Sequence, residues 1–133
     1  MKNLVQIMGF LALIALSTSC EKDAHVPPKV VFKTGVDYTS ADKIVAKNTA
    51  VKVGITADKV EDDLKTLNVS YAYDGATTTT TKQNFDIPSA NVSHFEQDVT
   101  ITTRNQAGTE KWTFTVTDKD GNITPLTLTF TVQ

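Results

Sequence analysis

Cysteine is almost missing from this chain: Cys20 is the single example in 133 residues. One cysteine excludes a disulfide within the chain, so a folded domain here must rest on its apolar core. Histidine is nearly as scarce. There are two, His25 and His94, and no repeated His, Asp or Glu spacing that would build a metal site. Basic residues are spread rather than clustered: 13 Lys and Arg stand against 15 Asp and Glu, for a formal net charge of −2. Without a basic patch, nucleic acid is not expected as a partner. The chain also lacks the ~20 consecutive apolar residues needed to span a bilayer. Its apolar run, residues 4–16, is short and is interrupted by Gln6.

What is present begins with that short run. Lys2 supplies a positive n-region, residues 4–16 an h-region, and Ser17, Thr18 and Ser19 the small residues that suit a signal peptidase. Cys20 follows directly. A cysteine so placed resembles the lipobox of bacterial lipoproteins, in the relaxed form common among those of Bacteroidetes. Ser17 stands where the family prefers Leu, and Leu16 lies one step further back. The resemblance implies cleavage before Cys20, acylation of its thiol and attachment to the outer membrane through that lipid, on the surface-exposed or periplasmic face. Two or three acyl chains anchor stably, at about 0.8 kcal/mol per buried CH₂. Two other readings compete. A plain secretory signal would leave an unpaired thiol in an oxidising compartment. A buried core helix sits poorly with the lysine-headed start.

Residues 1–19 are thus expected as signal peptide and 20–28 as lipidated cysteine and tether, leaving 29–133 as one domain. The tether is polar and ends in Pro27-Pro28, which favour extended geometry. Glu21, Lys22 and Asp23 resemble the acidic export signal of Bacteroidetes surface lipoproteins; a solvated linker explains the same charges.

Threonine is abundant, at 22 residues, and its branched side chain suits a pleated, half-exposed surface. Period-two alternation recurs along the domain. It runs through Val51, Val53, Ile55 and Ala57, then through Leu67, Val69, Tyr71 and Tyr73. Val99 and Ile101 mark a further strand. It is clearest in Trp112, Phe114 and Val116, and in Leu126, Leu128, Phe130 and Val132, each set opposed by a threonine ladder. Residues 29–33 and Ile44-Val45 add shorter pieces. Val60, Leu64 and Leu67 have helical spacing, so one helical turn is expected between two strands in 58–67. Residues 76–82 read as an edge strand or a loop, and 105–108 as a hairpin connection with Gly108 at positive φ.

About seven alternating strands predict an all-β, two-sheet sandwich, with an up-and-down barrel as the alternative. The run from Lys111 to Val132 resembles the last hairpin of bacterial immunoglobulin-like domains. Residues 35–42 with 50–55 resemble the start of similar domains in Bacteroidetes lipoproteins. The resemblance implies an immunoglobulin-like fold and says little about function.

Candidate sites are few. Asp118, Asp120 and Asn122 around Gly121 offer alternating oxygens for calcium, but a hairpin turn uses the same residues for backbone geometry. Trp112 is in register with core residues, whereas Tyr38, Phe85 and Phe95 fall outside clear alternation and are the aromatic candidates for exposed contact. His94 with Ser93 and Asp98 is too local for a triad, and Glu61, Asp62 and Asp63 are adjacent rather than opposed across a bond. No cofactor or enzymatic chemistry is expected. Two classes remain: a lipid-tethered binding or adhesion module for a glycan or protein, and a structural accessory of the envelope without a ligand.

Overall fold

A computed structural model describes residues 24–133; Cys20, the signal segment and the first part of the tether lie outside the described residues. Among the described residues eight strands form: β1 (Lys29–Phe32), β2 (Lys43–Val45), β3 (Ala50–Asp58), β4 (Leu64–Tyr73), β5 (Thr80–Asp86), β6 (His94–Thr102), β7 (Gly108–Asp118) and β8 (Ile123–Val132). One 3₁₀ turn, Ser89–Asn91, precedes β6. The strands make two sheets, ordered β1-β3-β6 and β2-β8-β7-β4-β5. All neighbours are antiparallel except β2, which lies parallel to β8. This is an all-β sandwich, and its strand order is immunoglobulin-like.

Alternation explains why the sheets stack. Val53, Ile55 and Ala57 of β3 face Leu67 and Val69 of β4, Phe114 and Val116 of β7, and Phe130 of β8, all fully buried. Phe32 meets Phe114 edge-on, with ring centroids 5.8 Å apart. The opposite residues of β7 and β8 are mostly threonines, paired across strands as Thr109 with Thr131 and Thr113 with Thr127, with Lys111 opposite Thr129. Trp112 lies in the core as expected, 3% exposed, opposite Tyr71 and tilted against its ring at 5.1 Å.

Four local expectations are corrected. Residues 59–63 form a bend with no helical turn, and Val60 is exposed. Leu64 and Leu67 both point inward because an irregularity near Lys65 shifts the β4–β7 register, so a bulge produced the helix-like spacing of three. Residues 103–107 join β6 to β7, which belong to different sheets, so this segment crosses the sandwich and is not a hairpin. The end of the tether does not hang free: Glu61 accepts hydrogen bonds from the N–H groups of Ala24 and Val26, and Pro28 is buried. Phe95, the fourth, belongs with the candidate residues below.

A polar knot ties the crossover to the β4–β5 turn. Asp74, at φ 52°, accepts from Arg104 Nη2 at 2.6 Å and from the Thr109 N–H at 2.9 Å. Glu110 is fully buried. Its carboxylate accepts the Arg104 N–H at 2.9 Å and Trp112 Nε1 at 3.2 Å. The Arg104 guanidinium lies 4.3 Å from the Tyr73 ring centroid. Gly108, at φ 145°, lets the backbone pass directly beside Asp74 and Arg104, where a Cβ would collide with both.

Candidate functional site

The chain leaves the edge of β3 and returns to it, and this detour builds the site. Lys33 N–H donates to Gly54 O at 2.8 Å, and Thr39 N–H donates to Lys52 O at 2.9 Å. Residues 34–38 are pushed out between those two bonds. Gly35, at φ 133°, turns the loop, and Val36 stands fully exposed at its tip. The chain then crosses to the other sheet as β2, so an open cleft of about 390 Å³ remains between the loop, β2 and the start of β3. Its walls include Val36, Asp37, Tyr38, Lys43, Ile44 and Lys52. Val36 and Ile44 are two of the few large apolar side chains left in water, Ile44 being 64% exposed.

A charged lattice on the outer face of the three-stranded sheet fixes Tyr38. Its hydroxyl donates to Asp98 Oδ2 at 3.0 Å, while Lys33 and Lys52 each contact Asp98 at 3.0 Å. The Lys52 and Lys33 ammonium groups lie 4.7 and 5.7 Å from the Tyr38 ring centroid. Lys33 also pairs with Glu96 at 2.7 Å. The Lys52 hydrogen bond, joined by those from Lys33 and Tyr38, holds the Asp98 carboxyl down to about 2. The Glu96 hydrogen bond, joined by Asp98, pushes Lys33 up to about 12. The lattice rests on Gly54. A Cβ there would come within 2.8 Å of both Asp98 Oδ1 and the Tyr38 ring, so only glycine lets the tyrosine lie against the sheet.

Among the described residues Lys43 and Asp37 make no ion pair or side-chain hydrogen bond. The cleft therefore offers an aromatic ring, the exposed apolar side chains of Val36 and Ile44, one unengaged cation and one unengaged carboxylate. That set suits recognition by contact.

The other candidate residues fall elsewhere. Phe95 is a correction: it is 7% exposed and packs in the core opposite Ala57. Gln97, at an inward position between Phe95 and Val99, hid the alternation; its amide escapes by donating to the Asp98 carbonyl at 2.9 Å. Phe85 is half-buried against the core rather than presented to solvent. Asp118 and Asn122 do come together, as a turn. Asp118 Oδ1 accepts the N–H groups of Asp120 and Asn122 at 3.0 and 2.8 Å, and Oδ2 accepts Asn122 Nδ2 at 3.0 Å. Asn122 thus turns its N–H₂ toward Asp118. Asp120 points away toward His25 Nδ1 at 3.4 Å. No group of three or more metal-ligating side chains gathers among the described residues. Beside this turn, burial and the nearby Asp120 and Asp118 charges raise the Asp62 carboxyl. His94 bonds Asp58 at 2.6 Å and Glu96 at 3.3 Å, with Asp58 the larger cause of its raised pKa, and forms no triad with Ser93 and Asp98.

Sequence reasoning missed Val36, Lys43, Ile44 and Lys52 as one group. Ile44 reads as an ordinary strand residue, and only the parallel pairing of a three-residue edge strand exposes it.

No family model matches the sequence, and no curated relative does. Among solved structures, a β-glucosidase from Listeria innocua in complex with glucose is similar over 78% of this chain, at 10% identity and a TM-score of 0.49; the chain spans 16% of that protein. Murine CRIg is similar over 80% of this chain and 96% of its own length, at 12% identity and a TM-score of 0.38. At those values neither likeness carries a functional argument.

Proposed function

We propose that this protein is a lipid-anchored cell-envelope protein whose immunoglobulin-like domain is a non-catalytic binding or adhesion module for a glycan or protein. The observation that carries the reading is the cleft between residues 36–39 and β2. It has ligand-pocket volume, exposed apolar walls and a tyrosine locked in place by Asp98. A rigid aromatic with unengaged polar neighbours is the kind of surface that recognises a partner at low entropic cost. The anchor follows from Cys20 and its flanks, with attachment to the outer membrane through the lipid.

The test for binding is an array of glycans and matrix proteins probed with the chain and with its Ile44→Asp variant. Capture by the wild type that the variant loses supports the module. Silence of the whole array supports an accessory of an envelope assembly instead. Position is tested by protease treatment of intact cells: digestion of the domain supports surface display, and protection until the outer membrane is breached supports the periplasmic face.

A further inference from the structure

The five-stranded sheet ends at β5, and among the described residues no strand lies on its outer side. Every residue of β5 is exposed except Phe85, which is half-buried. An open edge of seven residues offers a row of unpaired backbone groups, which natural sheets normally cover or blunt. Which groups are open follows from the pairing. The Ile87 N–H donates to Lys65 O at 2.9 Å, and the register continues as Asp86 to Thr66, Phe85 to Leu67 and Asn84 to Asn68. In an antiparallel strand the backbone groups of alternate residues point the same way. Ile87, Phe85 and Gln83 therefore bond inward to β4, while Asn84 and Asp86 turn their N–H and C=O groups outward. Pro88 has no N–H to present, so the open ladder stops there.

Two side chains on this edge carry unspent charge. Lys82 is the extra residue at the irregularity opposite Val69 and Ser70, and Asp86 ends the strand. Among the described residues neither makes an ion pair or a side-chain hydrogen bond. They are four residues apart, with Asn84 midway.

We infer that β5 pairs edge to edge with β5 of a second copy of this chain, antiparallel, about a two-fold axis through Asn84. In that register Asn84 faces Asn84 of the partner subunit, and their outward backbone groups bond to one another. Gln83 faces Phe85 of the partner subunit. Lys82 faces Asp86 of the partner subunit, and the symmetry repeats that pair on the other side. Like charges directly opposite each other destabilise a strand pair, and opposite charges stabilise it. A parallel in-register stack would set Lys82 against Lys82. A slip by one pairing step would set Asn84 against a charged residue and leave both charges unmatched. The charge pattern therefore selects the closed two-fold pair over open-ended stacking. The same lysine that repels an arbitrary strand becomes an attractive contact in this one arrangement.

One strand edge buries less than the ~1,200 Å² of a stable standard interface, so the pair is weak and concentration-dependent. The test is sedimentation equilibrium of the full chain in detergent, comparing wild type, Lys82→Glu, Asp86→Lys and the double exchange. Comparison among variants cancels any association through residues 1–23. Each single reversal is expected to weaken dimerisation about tenfold, and the double exchange to restore it to within about threefold. Asn84→Pro removes one outward N–H and leaves the backbone ladder to β4 in place, while giving up the exposed side-chain bond from Asn68; it is expected to abolish the dimer while the melting temperature falls by no more than about 3 °C. A wild type that stays monomeric to about 1 mM overturns the inference. So does a double exchange no tighter than its parents, or an Asn84→Pro variant that still dimerises.

Discussion

Single residues carry the strongest constraints in this molecule, and they are polar. Glu110 is fully buried, and Arg104 answers it through its backbone N–H and with Nε 3.7 Å away. Removing one partner of a buried pair leaves an uncompensated charge, which costs far more than the pair contributes. Arg104→Met is therefore expected to lower unfolding stability by about 3 kcal/mol, measured by urea denaturation at pH 7. The companion Glu110→Gln should cost less, because it removes the charge itself.

Asp98 governs pH dependence at the same scale. Its carboxyl is held near 2 in the folded chain, from an ordinary 3.8, so its stabilising contribution is complete above about pH 4 and is lost as pH falls toward 2. Lys33 is raised from 10.5 to about 12, so its share is complete below about pH 10 and is lost as pH rises through 12. The melting-temperature difference between wild type and Asp98→Asn should accordingly be flat from pH 4 to 10 and shrink between pH 4 and 2. A difference that persists unchanged at pH 2 would contradict this assignment of the lattice.

At the scale of elements, each strand's legibility depended on its inner face. β7 and β8 were plain because Trp112, Phe114 and Val116, with Leu128, Phe130 and Val132, alternate without a break against threonine. β6 was read only from Val99 onward, because Gln97 occupies an inward position and Glu96 and Asp98 surround it. The segment before β4 imitated a helix because a bulge brings Leu64 and Leu67 to the same side. The cleft was not legible at all. It arises from where β1 lets go of β3 and β2 joins β8, a pairing choice that leaves no periodic mark. Tyr38 alone among its residues stood out beforehand, as an aromatic outside any alternation.

The loop 34–38 is an element whose position depends on one glycine. Gly54→Val would place side-chain atoms where Tyr38 and Asp98 now lie. The tyrosine is expected to swing off the sheet and the loop to loosen. Hydrogen exchange should read this as lost protection at Thr39 N–H, now bonded to Lys52 O at 2.9 Å, while β7 and β8 stay protected. Equal loss across all strands would mean that Gly54 serves the core rather than the loop.

For the whole molecule, the described residues make an immunoglobulin-like sandwich with distinct surfaces. One sheet presents threonines, the other a charged lattice, and the two margins present a cleft at β2 and an open strand edge at β5. The N-terminal residues 24–28 lie against the loop 59–63 and β8, with Thr124 Oγ1 donating to Pro28 O at 2.5 Å. The cleft is lined by the other end of β3, so residues 24–28 and the cleft lie at different ends of that strand. That separation leaves the cleft clear for the binding role proposed above.

The most direct test of that account is titration calorimetry of the best array ligand against three proteins. Wild type should bind, and Ile44→Asp, which puts a carboxylate on the cleft wall, should weaken binding at least about tenfold. Thr115→Asp, which changes the threonine face instead, should bind as the wild type does. Equal affinity for wild type and Ile44→Asp, or loss confined to Thr115→Asp, would contradict the account and move the ligand site out of the cleft.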